Sequence, residues 1–266
     1  MKTAIIIPAR YGSTRFPGKP LVQIAGKSML SRVVDIASNA SKALKNVTLA
    51  VATEDDRIAA HCKEIGVNCV MTSDSCKTGS DRVLEAAQHL GGDFDFVIGL
   101  QGDAPFTPVE ALERMLSAFV GNPQCEVVTP VVRLRWEELD ALRDSKKTTP
   151  FSGTTCVVDK NGLALWFSKN ILPAIRKEDD VRKTGEYSPV LQHVGLYGFR
   201  FDILKKFVAL PEGRYEKLEG LEQLRLLENG ISIQTVELKI DAGLAQAGID
   251  SPEDVARAEK IFAAMK

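Results

Sequence analysis

The chain has 266 residues, 44% of them hydrophobic and 26% charged, which is an ordinary globular composition and excludes a disordered one. Its 34 lysines and arginines against 35 acidic residues leave a net charge of −1, too little for a broad nucleic-acid footprint. No apolar run approaches the roughly 20 residues of a membrane-spanning helix, so no membrane insertion is expected.

The length suits one large domain, or one domain with a small appendage, on a prior of roughly 150 residues per domain. Cys62, Cys69, Cys76, Cys125 and Cys156 are odd in number and form no C-x-x-C pair. Neither a zinc centre nor a disulfide framework is expected, and reduced thiols in the cytoplasm are. Residues 1–8 lack a long apolar region and a cleavage site, so they read as a first strand and not as a signal peptide.

Ala4–Ile7 is a β-branched run of the kind buried on both sheet faces. Residues 8–20 form a loop broken by Pro8, Gly12, Pro17, Gly18 and Pro20. A helix from Ser28 to about Ala40, a strand Val47–Ala52, a helix Asp55–Ile65 and a strand Val67–Met71 follow. Then come a helix Ser80–Leu90, a strand Phe94–Leu100, a helix opening at Pro108 and a strand Cys125–Val132. This alternation predicts an α/β fold with a mainly parallel sheet, helices on both faces and ligands beyond the carboxyl ends of the strands.

From about residue 133 the pattern changes. A short helix Trp136–Arg143 precedes strands over Thr154–Val158, Leu163–Phe167 and Val194–Phe199, with a charged loop at 169–190. Leu218, Leu221, Leu224 and Leu227 predict one amphipathic helix. A strand Ile231–Val236 and a helix Pro252–Met265 capped by Ser251 close the chain. The middle section, about 133–200, reads as a smaller antiparallel lobe inserted in a single domain of residues 1–266.

The first loop carries the densest chemistry. Arg10, Arg15 and Lys19, with Ser13, Thr14, Gly12 and Gly18, follow a buried strand at once. Glycines let backbone N–H groups approach a phosphate, arginines supply forked donors and lysine a point charge. The loop is not a Walker A motif, because position 13 is Ser13 and Lys19 precedes Pro20. A basic surface loop is the plainer alternative.

This loop resembles the N-terminal signature of the sugar nucleotidyltransferases, most closely the CMP-sugar-acid synthetases and, within them, the 3-deoxy-manno-octulosonate (Kdo) cytidylyltransferases. The resemblance runs through Thr78–Arg82, Leu100–Pro105, Leu165–Ser168, His193–Gly198, Leu221–Arg225 and Ile249–Asp254. Each segment is weak alone; six in the family's order are strong. The resemblance implies a Rossmann-like nucleotidyltransferase fold with a dimerisation lobe. It implies a homodimer that uses Mg2+ to transfer CMP from CTP to the anomeric hydroxyl of a sugar acid, with release of pyrophosphate. The product would serve lipopolysaccharide or capsule synthesis.

Residue by residue, it places Pro8, Ala9, Arg10, Arg15, Lys19, Ser80, Asp81 and Arg82 at the nucleotide. Arg10, Arg15 and Lys19 would hold the phosphates, and Asp103 and Asp250 the metal. Gln101, His193, Tyr197, Glu222 and Gln223 would meet the sugar. Each has a plainer reading. Asp103 suits a turn before Pro105, and Asp250 a turn or helix cap. Thr78 or Ser80 suits a cap of the following helix. His193 and Tyr197 alternate onto one face of a strand and suit a core, and Glu222 and Gln223 suit a solvated helix flank.

The chain also departs from the family. Ala104 stands where a glutamate is usual, Thr155 for a lysine, Lys169 for an arginine and Gln192 for an arginine. These changes concern mostly the half associated with the sugar acid. They leave room for a modified acceptor such as 8-amino-Kdo, for a phosphate-bearing acceptor, and for a CTP-binding protein without turnover.

Overall fold

A computed structural model describes residues 1–12, 16–42, 46–240, 248–249 and 251–264. Arg15 and Asp250 lie outside the described residues. In chain order the elements are β1 (Thr3–Pro8), a 3-10 turn (Lys19–Leu21), β2 (Gln23–Ile24), β3 (Lys27–Ser28), α1 (Met29–Lys42), β4 (Val47–Thr53), α2 (Asp56–Glu64), β5 (Cys69–Met71), α3 (Gly79–His89), β6 (Phe96–Gly99) and α4 (Val109–Gly121). They continue as β7 (Val127–Arg135), α5 (Trp136–Ser145), β8 (Thr155–Val158), β9 (Ala164–Ser168), α6 (Glu178–Arg182), β10 (Tyr187–His193) and β11 (Tyr197–Arg200). The last are α7 (Phe201–Ala209), α8 (Arg214–Glu219), α9 (Gln223–Glu228), β12 (Ile233–Leu238) and α10 (Pro252–Ala264). Among the described residues no helix is long and apolar enough to cross a membrane.

The chain divides into two compact units. The first holds Met1–Glu113, Gly198–Val208 and the C-terminal segment. Its sheet runs β5-β4-β1-β6-β11. All six residues of β1 are buried, because it pairs in parallel with both β4 and β6 and is covered on both faces. The registers Ile6↔Gly99 and Pro8↔Ala52 bring the carboxyl ends of β1, β4 and β6 to one edge. The loops after β1 and β6 therefore emerge side by side. A satellite core of Ile24, Met29, Ile249 and Ala258, with Phe106 stacked on Phe262 at 4.6 Å, fixes α10 beside these loops.

The second unit holds Arg114–Tyr197 and the chain from Ala209 through β12. Here β7, β10, β8 and β9 are antiparallel neighbours, and β12 lies parallel to β7. Three expectations fail in this region. The strand expected over Val194–Phe199 begins only at Tyr197, because residues 194–196 are a turn between β10 and β11: Leu196 N turns back to Val194 O at 2.7 Å and the Thr129 hydroxyl donates to Leu196 O at 2.8 Å. His193 and Tyr197 thus lie on β10 and β11 and do not share a strand. The loop expected over 169–190 contains α6 and the start of β10. Arg143 grips the Glu178 carboxylate with both guanidinium nitrogens, which ties α6 to α5 and holds Glu178 down at a pKa of about 2.

The single leucine-striped helix is α8 and α9, broken at Gly220, whose φ of 63° needs a residue without Cβ strain. Leu218 is 68% exposed while Leu221 and Leu224 are buried. Glu228 on α9 accepts from the backbone N–H groups of Arg214 and Tyr215, the orphan donors at the start of α8. In the first unit, α2 and α3 follow the expected course. Thr78, and not Ser80, caps α3: its hydroxyl accepts from Asp81 N, and Asp81 accepts from Thr78 N, a reciprocal box. Ser251 and Asp254 make a similar pair at α10.

Candidate active site

At the carboxyl edge of the first unit, an open cavity of about 340 Å³ is lined by Pro8, Ala9, Arg10, Gly12, Lys19, Pro20, Gly79, Gln101, Gly102 and Asp103. Four of the first-loop residues that the sequence places at the nucleotide, Pro8, Ala9, Arg10 and Lys19, meet here with Gln101 and Asp103 from the loop after β6. The seat of Lys19 is built by the turn before it. Gly18 takes a left-handed φ of 72° and donates to Tyr11 O at 3.0 Å; a Cβ there would press on the Tyr11 ring at 3.2 Å. Arg57, itself held by Asp55, covers that ring at 3.3 Å. Lys19 is thereby buried to 9% exposure, and its ammonium donates to Asp103 Oδ2 at 2.7 Å.

Asp103 comes from the loop after β6, which lies tight against the loop after β1. A Cβ on Gly102 would fall 2.8 Å from Pro8 O, so only glycine permits this approach. Ile249 N donates to Asp103 O at 3.3 Å, which brings the residue preceding Asp250 to the same loop. Gln101 leans on Gly79 at the start of α3. Arg10 directs its guanidinium to the carbonyl of Cys76, in the loop before α3. The Cys76 thiol is pushed up to about 11 by burial and by its contact with Glu85, which makes it a poor nucleophile at neutral pH.

Of the α3 residues, Asp81 spends its carboxylate on Lys77 N and Thr78 N. Arg82 is 1% exposed and pairs with Glu54 Oε2 at 2.7 Å, so its charge is neutralised inside the unit. Ser80 is half-buried at the helix start. Thr78, one of the two caps the sequence offered, supports this wall, and Glu54 was missed. Thr78-x-x-Asp81 was a readable capping signature; nothing local marks Glu54, which meets Arg82 only through the fold.

In the second unit, His193 stands 4.9 Å from the Phe167 ring and 5.4 Å from the Tyr197 ring, centroid to centroid. Burial, and the nearby Lys169 ammonium, push its pKa down to about 3. The imidazole is neutral at physiological pH. Since the Thr129 hydroxyl donates to Leu196 O, it accepts from His193 Nε2 at 2.9 Å, which places the proton on Nε2. Burial first, then Glu222, raises the Tyr197 hydroxyl above its ordinary value. Gln223 is 5% exposed, and its Nε2 is buried without a hydrogen-bond partner. A buried donor left this way is a place for a ligand's oxygen.

Lys169 donates to the Thr154 hydroxyl at 3.2 Å, and burial lowers its pKa. The Thr155 hydroxyl donates to Asn170 O at 2.6 Å and accepts from Leu172 N at 3.1 Å, so it shapes the turn after β9.

Among the described residues no three acidic, histidine or cysteine side chains gather as a metal cage. Asp103 alone still suits a hard divalent cation: its carboxylate is 43% exposed in a cavity lined by cations, and Mg2+ commonly takes one or two carboxylates and completes its shell with phosphate oxygens and water.

Residues 4–234 match the family model described as cytidylyltransferase. A 3-deoxy-manno-octulosonate cytidylyltransferase of Maricaulis maris is 43% identical over 99% of this chain and 98% of its own length. The protein of the same name from Bacteroides thetaiotaomicron is 39% identical over 98% of both. The solved structure of CMP:2-keto-3-deoxy-manno-octonic acid synthetase complexed with CTP superposes with a TM-score of 0.84, at 31% identity and complete coverage of both chains. A cytidylyltransferase from Leptospira borgpetersenii shares the fold at a TM-score of 0.62 and 19% identity, over 99% of this chain and 87% of its own. The chain belongs to the cytidylyltransferase family.

Proposed function

We propose that this protein transfers CMP from CTP to the anomeric hydroxyl of 3-deoxy-manno-octulosonate and releases pyrophosphate. The observation that carries this reading is end-to-end similarity to relatives of that name, together with a fold matching a CTP complex. The sugar's hydroxyl oxygen forms a bond to the α-phosphorus of CTP, the bond from that phosphorus to the bridging oxygen breaks, and the hydroxyl proton leaves to water.

In this scheme Lys19 and Arg10, with Arg15, hold the phosphates and neutralise the departing pyrophosphate. Because no protein nucleophile is needed, positioning and electrostatics carry the rate. Pro8 and Ala9 border the nucleotide, and Ser80 and Asp81 open α3 against it. Arg82 acts from behind, stiffening that helix through Glu54. Asp103 and Asp250 would hold Mg2+, which when bound neutralises phosphate charge and acidifies the attacking hydroxyl. Gln101, the neutral His193, Tyr197, Glu222 and the buried amide of Gln223 are assigned to the sugar's hydroxyls. The family resemblance further suggests a homodimer working in the cytoplasm.

The test is pyrophosphate release by Asp103→Ala. It should lose most turnover, on the order of a hundredfold or more, while its melting curve stays close to that of the parent protein. Near-normal kcat with Mg2+ would remove Asp103 from the reaction.

A further inference from the structure

The start of α9 carries two of the side chains assigned to the acceptor, Glu222 and Gln223. Helices α8 and α9 have six residues each, too few to hold a direction by their own backbone hydrogen bonds. They meet at Gly220, a left-handed break. Among the described residues the Gln223 amide nitrogen is buried without a hydrogen-bond partner. No bond at that atom aims it, so its direction is set by the helix that bears it.

That helix is fixed from across the break. Arg225 on α9 reaches Glu216 on α8: its Nε donates to Glu216 Oε2 at 2.8 Å and its Nη2 to Glu216 Oε1 at 2.5 Å. The same Oε2 accepts from Gly213 N at 2.8 Å, at the start of α8. Arg225 Nη1 donates to Leu210 O at 3.4 Å, and Nη2 lies 3.9 Å from Glu222 Oε1. One guanidinium thus joins the approach to α8, its body and the start of α9. The two side chains are 10% and 8% exposed.

Stability alone does not call for charges here. Withdrawing two ions from water offsets most of their attraction, and well-packed apolar side chains commonly hold such a site as firmly. What an arginine fork on a carboxylate adds is direction, because two parallel bonds admit one relative orientation of the groups that carry them.

Resting on the assignment of Glu222 and Gln223 to the acceptor's hydroxyls, we propose that Glu216 and Arg225 are positioning residues for the acceptor: their buried fork sets the course of α9 from α8 and so aims the Glu222 carboxylate and the Gln223 amide. The cavity assigned to the nucleotide belongs to the first unit and is lined by none of these residues, so the effect is confined to one substrate.

The experiment records melting curves and steady-state pyrophosphate release, with CTP and Kdo varied in turn, for wild type, Gln223→Ala, Arg225→Lys and the double variant Glu216→Leu/Arg225→Leu. The double variant should melt close to wild type, keep the KM for CTP, and lose about ten- to a hundredfold in kcat/KM for Kdo. Arg225→Lys keeps the charge and loses the fork; it should show the same split between substrates with a smaller loss. A folded double variant with wild-type Kdo kinetics overturns the proposal. So does a rise in both KM values together, the mark of a general loss of structure. If the double variant does not fold, Arg225→Lys decides, and wild-type Kdo kinetics in that protein reduces the pair to a structural one.

Gln223→Ala separates the positioning role from the acceptor assignment. A raised KM for Kdo in Gln223→Ala, with none in the pair variants, sinks the positioning role alone. Unchanged Kdo kinetics in Gln223→Ala, or wild-type protein that does not turn over Kdo, removes the acceptor assignment and the positioning role with it.

Discussion

Gly102 sets the shape of the cavity at the carboxyl edge of the first unit, because a methyl group there would sit 2.8 Å from Pro8 O, between two backbones that cannot yield as a side chain can. Gly102→Ala should push the loop carrying Asp103 away from the loop carrying Lys19. The expected result is a loss of about 1–3 kcal/mol of stability and a raised KM for CTP, and unchanged CTP kinetics would show that the close approach is dispensable.

His193 supplies a second residue-scale test. Its folded pKa of about 3 lies below the ordinary value of about 6.5. The unfolded chain therefore binds a proton that the folded chain refuses between those values. Stability from neutral His193 is complete above pH about 6.5 and falls as the pH drops toward 3, by about 1.4 kcal/mol per pH unit. His193→Gln should flatten that slope in denaturant titrations at pH 7, 6 and 5; parallel curves for the two proteins would contradict a buried neutral imidazole.

Arg10, Lys19 and Asp103 were readable in the sequence because each follows a strand with a strong buried signal. The Lys19–Asp103 pair and the Arg82–Glu54 pair were not, since they join residues 84 and 28 positions apart through the sheet's register.

Elements held by local chemistry were the easier ones to read. The capping box at Thr78 and Asp81 gives α3 a defined start, and that start forms the cavity wall with Gly79. Thr78→Ala should cost about 1 kcal/mol and raise KM for CTP more than it lowers kcat; a pure stability loss with unchanged KM would confine the cap to folding. The α8–α9 break could not be seen from leucine spacing, because a three-to-four repeat describes each short helix as well as it describes one long one. What separates them is Gly220 at φ 63° and the Glu228 carboxylate over the start of α8. Gly220→Ala should destabilise by about 1–2 kcal/mol, measurable as a lowered midpoint in urea. Strand β10 was hidden for a related reason: its first residues lie in a charged stretch, and they are ordered by antiparallel pairing with β7 and not by their own hydrophobic pattern.

At the scale of the whole molecule, the two units differ in how much of them the sequence announces. Parallel strands covered on both faces read as continuous apolar runs, so β1, β4 and β6 and the edge where they end were visible in advance. In the second unit the strands β7, β8, β9 and β12 and the helix α5 were also legible, whereas α6, the turn between β10 and β11 and the break between α8 and α9 depend on contacts between distant residues and leave no periodic trace. The residues standing where the family usually has other side chains are concentrated there. Thr155 is engaged with Asn170 and Leu172, and the Lys169 ammonium lies near His193, so these departures fall beside a side chain that the proposed function assigns to the acceptor.

The reaction and its acceptor are therefore tested together by one assay: pyrophosphate release with Mg2+ and CTP against Kdo, 8-amino-Kdo, N-acetylneuraminate and a sugar phosphate. The account predicts release with Kdo and none with the sugar phosphate. Release with the sugar phosphate alone, or folded protein that binds CTP and releases nothing with any of the acids, would contradict it.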